Sequence, residues 1–195
     1  MRTRFIALSL LLVAASAASA DDHLTVFVNS VGGGSNSDVS GSGGVSLDHA
    51  WSPHWSTEAS IGFERRYRDH GIFVDLGNGN FAPETVRDRI DTYPMDLMMR
   101  YHFPNDTRWT PYISGGLHYV SAPGITDFSR GSGIFPGPLV LIHYKDRFGA
   151  EIGGGTMFRI TPHVGLQLDF KQQLRNDNVF FDPVTRSSFG VNWKW

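Results

Sequence analysis

Tyr93-Pro94-Met95-Asp96-Leu97-Met98-Met99-Arg100-Tyr101-His102-Phe103 alternates without a break. Tyr93, Met95, Leu97, Met99, Tyr101 and Phe103 share one face of the extended chain, and Pro94, Asp96, Met98, Arg100 and His102 the other. Six apolar residues in succession on one side exceed an ordinary strand, which holds about 5–6 residues in all. A run of about 11 residues suits a strand tilted across a bilayer.

The same period of two recurs on both sides of this run. Val45, Leu47 and Trp51 alternate with Ser46, Asp48 and Ala50, and Trp55, Ala59, Ile61 and Phe63 with Ser56, Glu58, Ser60, Gly62 and Glu64. Ile113, Leu117 and Tyr119 follow, then Phe148, Ala150, Ile152, Phe158 and Ile160, then Val164, Leu166, Leu168 and Phe170, and finally Phe189, Val191, Trp193 and Trp195. With a weaker first strand over Leu24 to Val31 the sequence predicts eight strands and no helix. Ser52-Pro53-His54, the stretch Pro104 to Thr110, and Thr161-Pro162-His163 are short connections. The others, near 32–43, 66–91, 121–147 and 175–187, are long. Connections of about 25 residues are rare inside compact soluble domains. Short turns on one rim and long loops on the other describe an all-β, eight-stranded, antiparallel, up-and-down transmembrane barrel.

Composition agrees. There are 22 glycines and no cysteine, which excludes a disulfide scaffold, a thiolate metal site and a cysteine nucleophile. The formal charge is −2 and no Lys/Arg cluster exceeds two or three residues, so a nucleic-acid partner is not expected. Mean hydropathy is −0.20, as expected of strands that are only half apolar. At the N-terminus, Arg2 and Arg4 precede an apolar core over Phe5 to Val13 and the small residues Ala14 to Ala20. Residues 1–20 are therefore expected to be a cleavable signal peptide, and residues 21–195 the barrel domain. Export to the outer membrane follows from the two together.

A soluble lipocalin-like barrel also has eight alternating strands, but its polar face meets water. Here the polar face is small and mixed in sign. It carries Asp48, Glu58, Glu64, Asp96, Arg100, Glu151, Arg159, Asp169, Lys171 and Lys194 among glycines and serines, a set that fits a narrow interior. The apolar face has aromatics at the strand ends, as the two interfaces of a bilayer require: Trp51, Trp55, Tyr101, Phe103, Trp193 and Trp195 near the short turns, Tyr93 and Tyr119 near the long loops. Lipid is expected outside.

Tight turns also set registers. Facing Trp51 with Trp55 puts Asp48 opposite Glu58 on the inward face, either as a proton or ion site or in a salt-bridge network with Arg100, Arg159 or Lys194. Facing Tyr101 with Ile113 puts Asp96 opposite His118. That pair suggests acid–base chemistry, but no nucleophile stands beside it, and the structural reading is preferred. The expected interior network is thus Asp48, Glu58, Asp96, Arg100, His118, Glu151, Arg159, Asp169, Lys171 and Lys194. No catalytic residue, metal site or cofactor is expected, since none of the eight histidines is paired at ligand spacing on one face.

Thr110-Pro111-Tyr112-Ile113-Ser114-Gly115-Gly116-Leu117-His118-Tyr119, the Tyr-x-Phe ending of Tyr93 to Phe103, the glycine-rich hairpin Gly149 to Gln172 and the terminal Phe189-x-Val191-x-Trp193-x-Trp195 resemble the OmpW family within the OmpA-like outer-membrane barrels. The resemblance implies a monomer with a narrow interior, associated with small or hydrophobic solutes, whose last strand, ending at Trp195, is read by the outer-membrane assembly machinery. It supplies no catalytic residues. Lipid A deacylases carry His-x-Ser on a late strand facing the outer leaflet, whereas His54-Trp55-Ser56 sits at a short turn. The expected function is therefore non-enzymatic, a narrow channel or binding barrel. The alternative is a structural or adhesive barrel whose loops bind lipopolysaccharide or surface ligands, with Arg65, Arg66, Arg68, Arg87 and Arg89 as phosphate contacts. A lipid A-modifying enzyme ranks third. Outer-membrane lipid is the expected surrounding.

Overall fold

Alternation becomes strands, and the strands close. The computed structural model describes residues 22–32, 40–77, 80–121, 125–130, 146–174 and 184–195. Residues 1–20 and most of the stretches 32–43 and 175–187 lie outside these. The elements are β1 (His23–Gly32), β2 (Ser40–Ala50), β3 (Trp55–Gly77), β4 (Asn80–His102), β5 (Trp109–Ser121), β6 (Ile125–Arg130), β7 (Arg147–Arg159), β8 (Val164–Leu174) and β9 (Thr185–Lys194). Every pairing is antiparallel. β9 pairs back onto β1, and β3 with β4 completes the ring, so eight strands form a closed barrel in up-and-down order.

The ninth strand lies outside that ring. β3 and β4 are each 23 residues long and remain paired from Glu64↔Thr92 out to Asp75↔Phe81, about 35 Å beyond the barrel at the rise of an extended chain. β6 pairs with the outer part of β4, Val86↔Arg130 to Ile90↔Ile125. The stretch 66–91 is thus a projecting hairpin and not a loop, and 121–147 contains a strand. Outside a bilayer neither face must be lipid-compatible, so period two is not enforced there.

The short turns are local chemistry. In Ser52-Pro53-His54 the Ser52 hydroxyl accepts from the backbone N–H of His54 (3.3 Å) and of Trp55 (3.1 Å). In Thr161-Pro162-His163 the Thr161 hydroxyl does the same for His163 (3.2 Å) and Val164 (3.0 Å). Proline presets the bend and the hydroxyl satisfies the two amides that the turn leaves over.

The faces are inverted relative to a soluble protein. Among the described residues five hydrophobic side chains are buried, against twenty polar or charged ones. Val28, Leu97, Ile113, Ile152 and Phe170 are exposed on the outer wall, and that wall needs hydrocarbon against it. Trp55 packs edge-on against Tyr101 at 5.0 Å, Tyr101 against Phe103 at 5.2 Å, and Trp109 against Phe158 at 4.6 Å, forming a girdle at the short-turn rim. Phe63 and Tyr93, 5.7 Å apart, stand at the other rim with exposed Phe148. The long hairpin projects from the rim opposite the short turns.

Candidate functional site

The interior is filled by two layers of charge. In the layer nearer the short turns, Arg100 on β4 is fully buried. Its Nη1 donates to Asp48 of β2 at 2.6 Å, Nη2 donates to Glu58 of β3, and Asp169 of β8 lies 3.6 Å from Nη2. The guanidinium also stacks over Tyr112 of β5 at 4.7 Å, and the Tyr112 hydroxyl donates to Asp169. Asp48 and Glu58 face each other in register, and Arg100 supplies the charge that the two buried carboxylates need. Lys171 of β8 donates to Glu58 at 2.7 Å. β3 and β8 stand four places apart in an eight-membered ring, so this ion pair joins opposite walls.

The second layer is nearer the hairpin. Asp96 faces His118 in register, with Oδ1 2.5 Å from the imidazole Nδ1. Asp96 also accepts from Ser60 at 3.0 Å and from Arg186 at 3.1 Å. Arg186 lies on β9, again diametrically opposite β4. The same guanidinium approaches Glu151 at 3.6 Å and Glu64 at 3.9 Å.

The ten residues expected from sequence therefore divide. Asp48, Glu58, Asp96, Arg100, His118, Glu151, Asp169 and Lys171 meet in the two layers. Arg159 does not. It is exposed at the short-turn rim, where β7 runs out, and lines the open mouth of the barrel instead of reaching either layer. Lys194 stands at the same rim, half-buried, on the wall of a cavity of about 560 Å³ that opens toward the short turns. Asp48, Ser56 and His102 also line that cavity, Ser56 and His102 lying 2.8 Å apart. Carboxylates and bases that alternation alone grouped together are separated by height along the barrel axis.

Several members were missed. Arg186 lay in a stretch taken for loop, yet extending the alternation of Phe189 to Trp195 backward by three residues places it inward. Tyr112 was overlooked because an aromatic on the polar face breaks the binary pattern. Its room comes from Gly155, where a Cβ would stand 2.7 Å from the phenol oxygen and 2.2 Å from the Leu168 carbonyl oxygen. Only glycine lets Tyr112 lie across that strand.

No curated protein sequence matches this chain significantly. Among solved structures it is similar to Neisserial surface protein A (12% identity, TM-score 0.60, covering 91% of this chain and 98% of that one). It is also similar to Ail, the attachment invasion locus protein of Yersinia pestis, in complex with the heparin analogue sucrose octasulfate (8%, TM-score 0.52, covering 90% and 98%). Outer Membrane Protein W of E. coli is a further similar structure (13%, TM-score 0.49, covering 92% and 100%). Residues 5–194 match the family described as the outer membrane protein beta-barrel domain, without distinguishing a subfamily. With a closed eight-stranded antiparallel ring, a polar interior and an apolar outer wall, this chain belongs to that family of outer-membrane β-barrels.

Proposed function

We propose that this protein is a closed, non-conducting barrel that anchors an external binding surface, the β3–β4 hairpin with β6. The observation that carries the reading is the pair of ion bridges, Lys171–Glu58 and Arg186–Asp96, each joining opposite walls at a different height. A solute on the axis must break both, and breaking a buried ion pair costs about 3–5 kcal/mol. The base of the hairpin, residues 65–69 and 87–91, carries five arginines and three aspartates, and the farther part, 70–86, only Asp75 and Glu84. The base of the hairpin thus keeps a net positive charge where it leaves the bilayer, at the height of lipopolysaccharide phosphates, and arginine suits phosphate. The fold is compatible with anion recognition, since Ail was crystallised with a polysulfated ligand.

The test is conductance and binding together. Reconstituted in planar bilayers, the protein is expected to show no discrete conductance steps. The same preparation should bind lipopolysaccharide, and neutralising Arg66 and Arg89 to glutamine should weaken that binding severalfold. A second reading, a narrow channel, draws on the 560 Å³ cavity as a periplasmic vestibule. Reproducible single-channel steps would establish it and overturn the closed barrel.

A further inference from the structure

Asp96 of β4, His118 of β5 and Glu151 of β7 come from three consecutive strands of the ring and are all buried. Asp96 faces His118 directly, and Glu151 is the diagonal neighbour of His118, which itself faces Gly149. One ligand-type atom from each lies within 4.8 Å of the other two. Spacing along the sequence does not reveal such a set, because its members are joined only across strands.

Two further observations point to a ligand. The Glu151 side chain is fully buried, and neither of its carboxylate oxygens has a hydrogen-bond partner. The Nε2 of His118 is likewise buried and unpartnered, while its Nδ1 is held by Asp96 at 2.5 Å. A carboxylate fixing one imidazole nitrogen so that the other presents its lone pair is the usual support of a metal-binding histidine. The charges also fall short. One guanidinium, Arg186, serves both Asp96 and Glu151, at 3.1 and 3.6 Å, and Lys171 is engaged by Glu58 at 2.7 Å. Two buried carboxylates with one cation between them need a further positive charge.

We propose that His118 and Glu151, with Asp96 holding the imidazole from its far side, form a site for a divalent transition-metal cation in the barrel interior, Zn²⁺ being an ion that a nitrogen and a carboxylate oxygen suit. Imidazole and carboxylate both suit zinc, which takes four ligands, so Nε2 of His118 and the Glu151 carboxylate leave two positions here for water. The cation takes the unpartnered lone pairs of Glu151 and His118 and balances the second carboxylate. Bound there, it joins β5 to β7 directly, and β4 through Asp96, in the layer nearest the hairpin.

The test uses the whole protein, purified without a histidine tag from outer membranes, stripped with chelator, refolded with Zn²⁺ and separated from free metal. One Zn²⁺ per barrel is expected by atomic emission. His118→Asn and Glu151→Gln should each lower occupancy at a limiting free Zn²⁺ concentration by about tenfold or more. His163→Asn, at the opposite mouth, should leave it unchanged. Folding of each variant is read from its faster gel mobility when unboiled. If the site variants do not fold, Co²⁺ in the unsubstituted protein decides. Intense visible bands of a four-coordinate, imidazole-bound ion support the site, and a six-coordinate aquo spectrum overturns it. Absence of bound Zn²⁺, or occupancy that survives in folded His118→Asn and Glu151→Gln or disappears with His163→Asn, also overturns it. A proton on Glu151 would then balance the charge.

Discussion

Arg100 shows how one side chain settles a conflict between two others. Asp48 and Glu58 are forced to face each other by the three-residue turn between β2 and β3, and both are almost fully buried. Replacing Arg100 by alanine leaves the two facing carboxylates with one cation, Lys171 on Glu58, and strips Asp48 of its ion-pair partner. The expected loss is about 3–5 kcal/mol of folding free energy, measured by urea titration in lipid vesicles. Adding Asp48→Asn to Arg100→Ala should recover much of that loss, because Lys171 still balances Glu58 and the neutral amide no longer needs the guanidinium. A double variant as unstable as the single one would mean that Arg100 acts through its stacking on Tyr112 and not through charge. The facing pair is legible from the turn length alone. The choice of Arg100 over Arg159 as its partner is not, since both share the inward parity and only their heights along the barrel separate them. Arg159 ends β7 at the rim, whereas Arg100 stands two residues inside the end of β4.

Strands are legible where lipid enforces them. Within the bilayer each outward position must be apolar, so Tyr93 to Phe103 announces β4, and Leu97 and Met99 are indeed exposed while Met98 is wholly buried. Leu97→Lys places a charge on the outer wall and should cost about 2–4 kcal/mol near the bilayer midplane. Met98→Lys points the same ammonium inward, at the register position facing Glu58, and should cost less. Equal losses of heat-modifiable, folded protein in the two variants would mean that the faces are assigned the wrong way round. Beyond Glu64 the constraint ends. Arg65-Arg66 breaks the alternation and Ile72-Phe73-Val74 is apolar on both faces, so the outer halves of β3 and β4 read as loop. Their pairing nonetheless carries opposite charges into register: Arg65↔Asp91, Arg68↔Asp88 and Asp69↔Arg87 on the hairpin, and Arg89↔Asp127 toward β6. The first of these is a bidentate pair at 2.8 and 3.1 Å. Cross-strand complementarity of this kind becomes visible only once a register is known.

At the scale of the whole molecule the barrel and the hairpin are separable. The pairing that closes the ring reaches Tyr93↔Ser121 between β4 and β5, and the two wall-to-wall ion pairs use Glu58, Lys171, Asp96 and Arg186, all within the ring. Arg65 and Asp91 face each other at the foot of the hairpin, so a two-residue Asn-Gly turn can join them in place of residues 66–90. This shortened protein should still assemble in the outer membrane and still run faster on gels when unboiled, because no ring pairing and neither ion bridge has been removed. It should remain non-conducting for the same reason. Lipopolysaccharide binding should fall, since four of the five arginines at the base are gone with the hairpin. If shortening instead abolished assembly, the outer sheet would be part of the folding unit, and if it opened a conductance, the hairpin and not the ion bridges would be what closes the barrel. The three readouts distinguish these outcomes in one sample, because mobility reports the ring, bilayer current reports the lumen and lipopolysaccharide retention reports the surface outside.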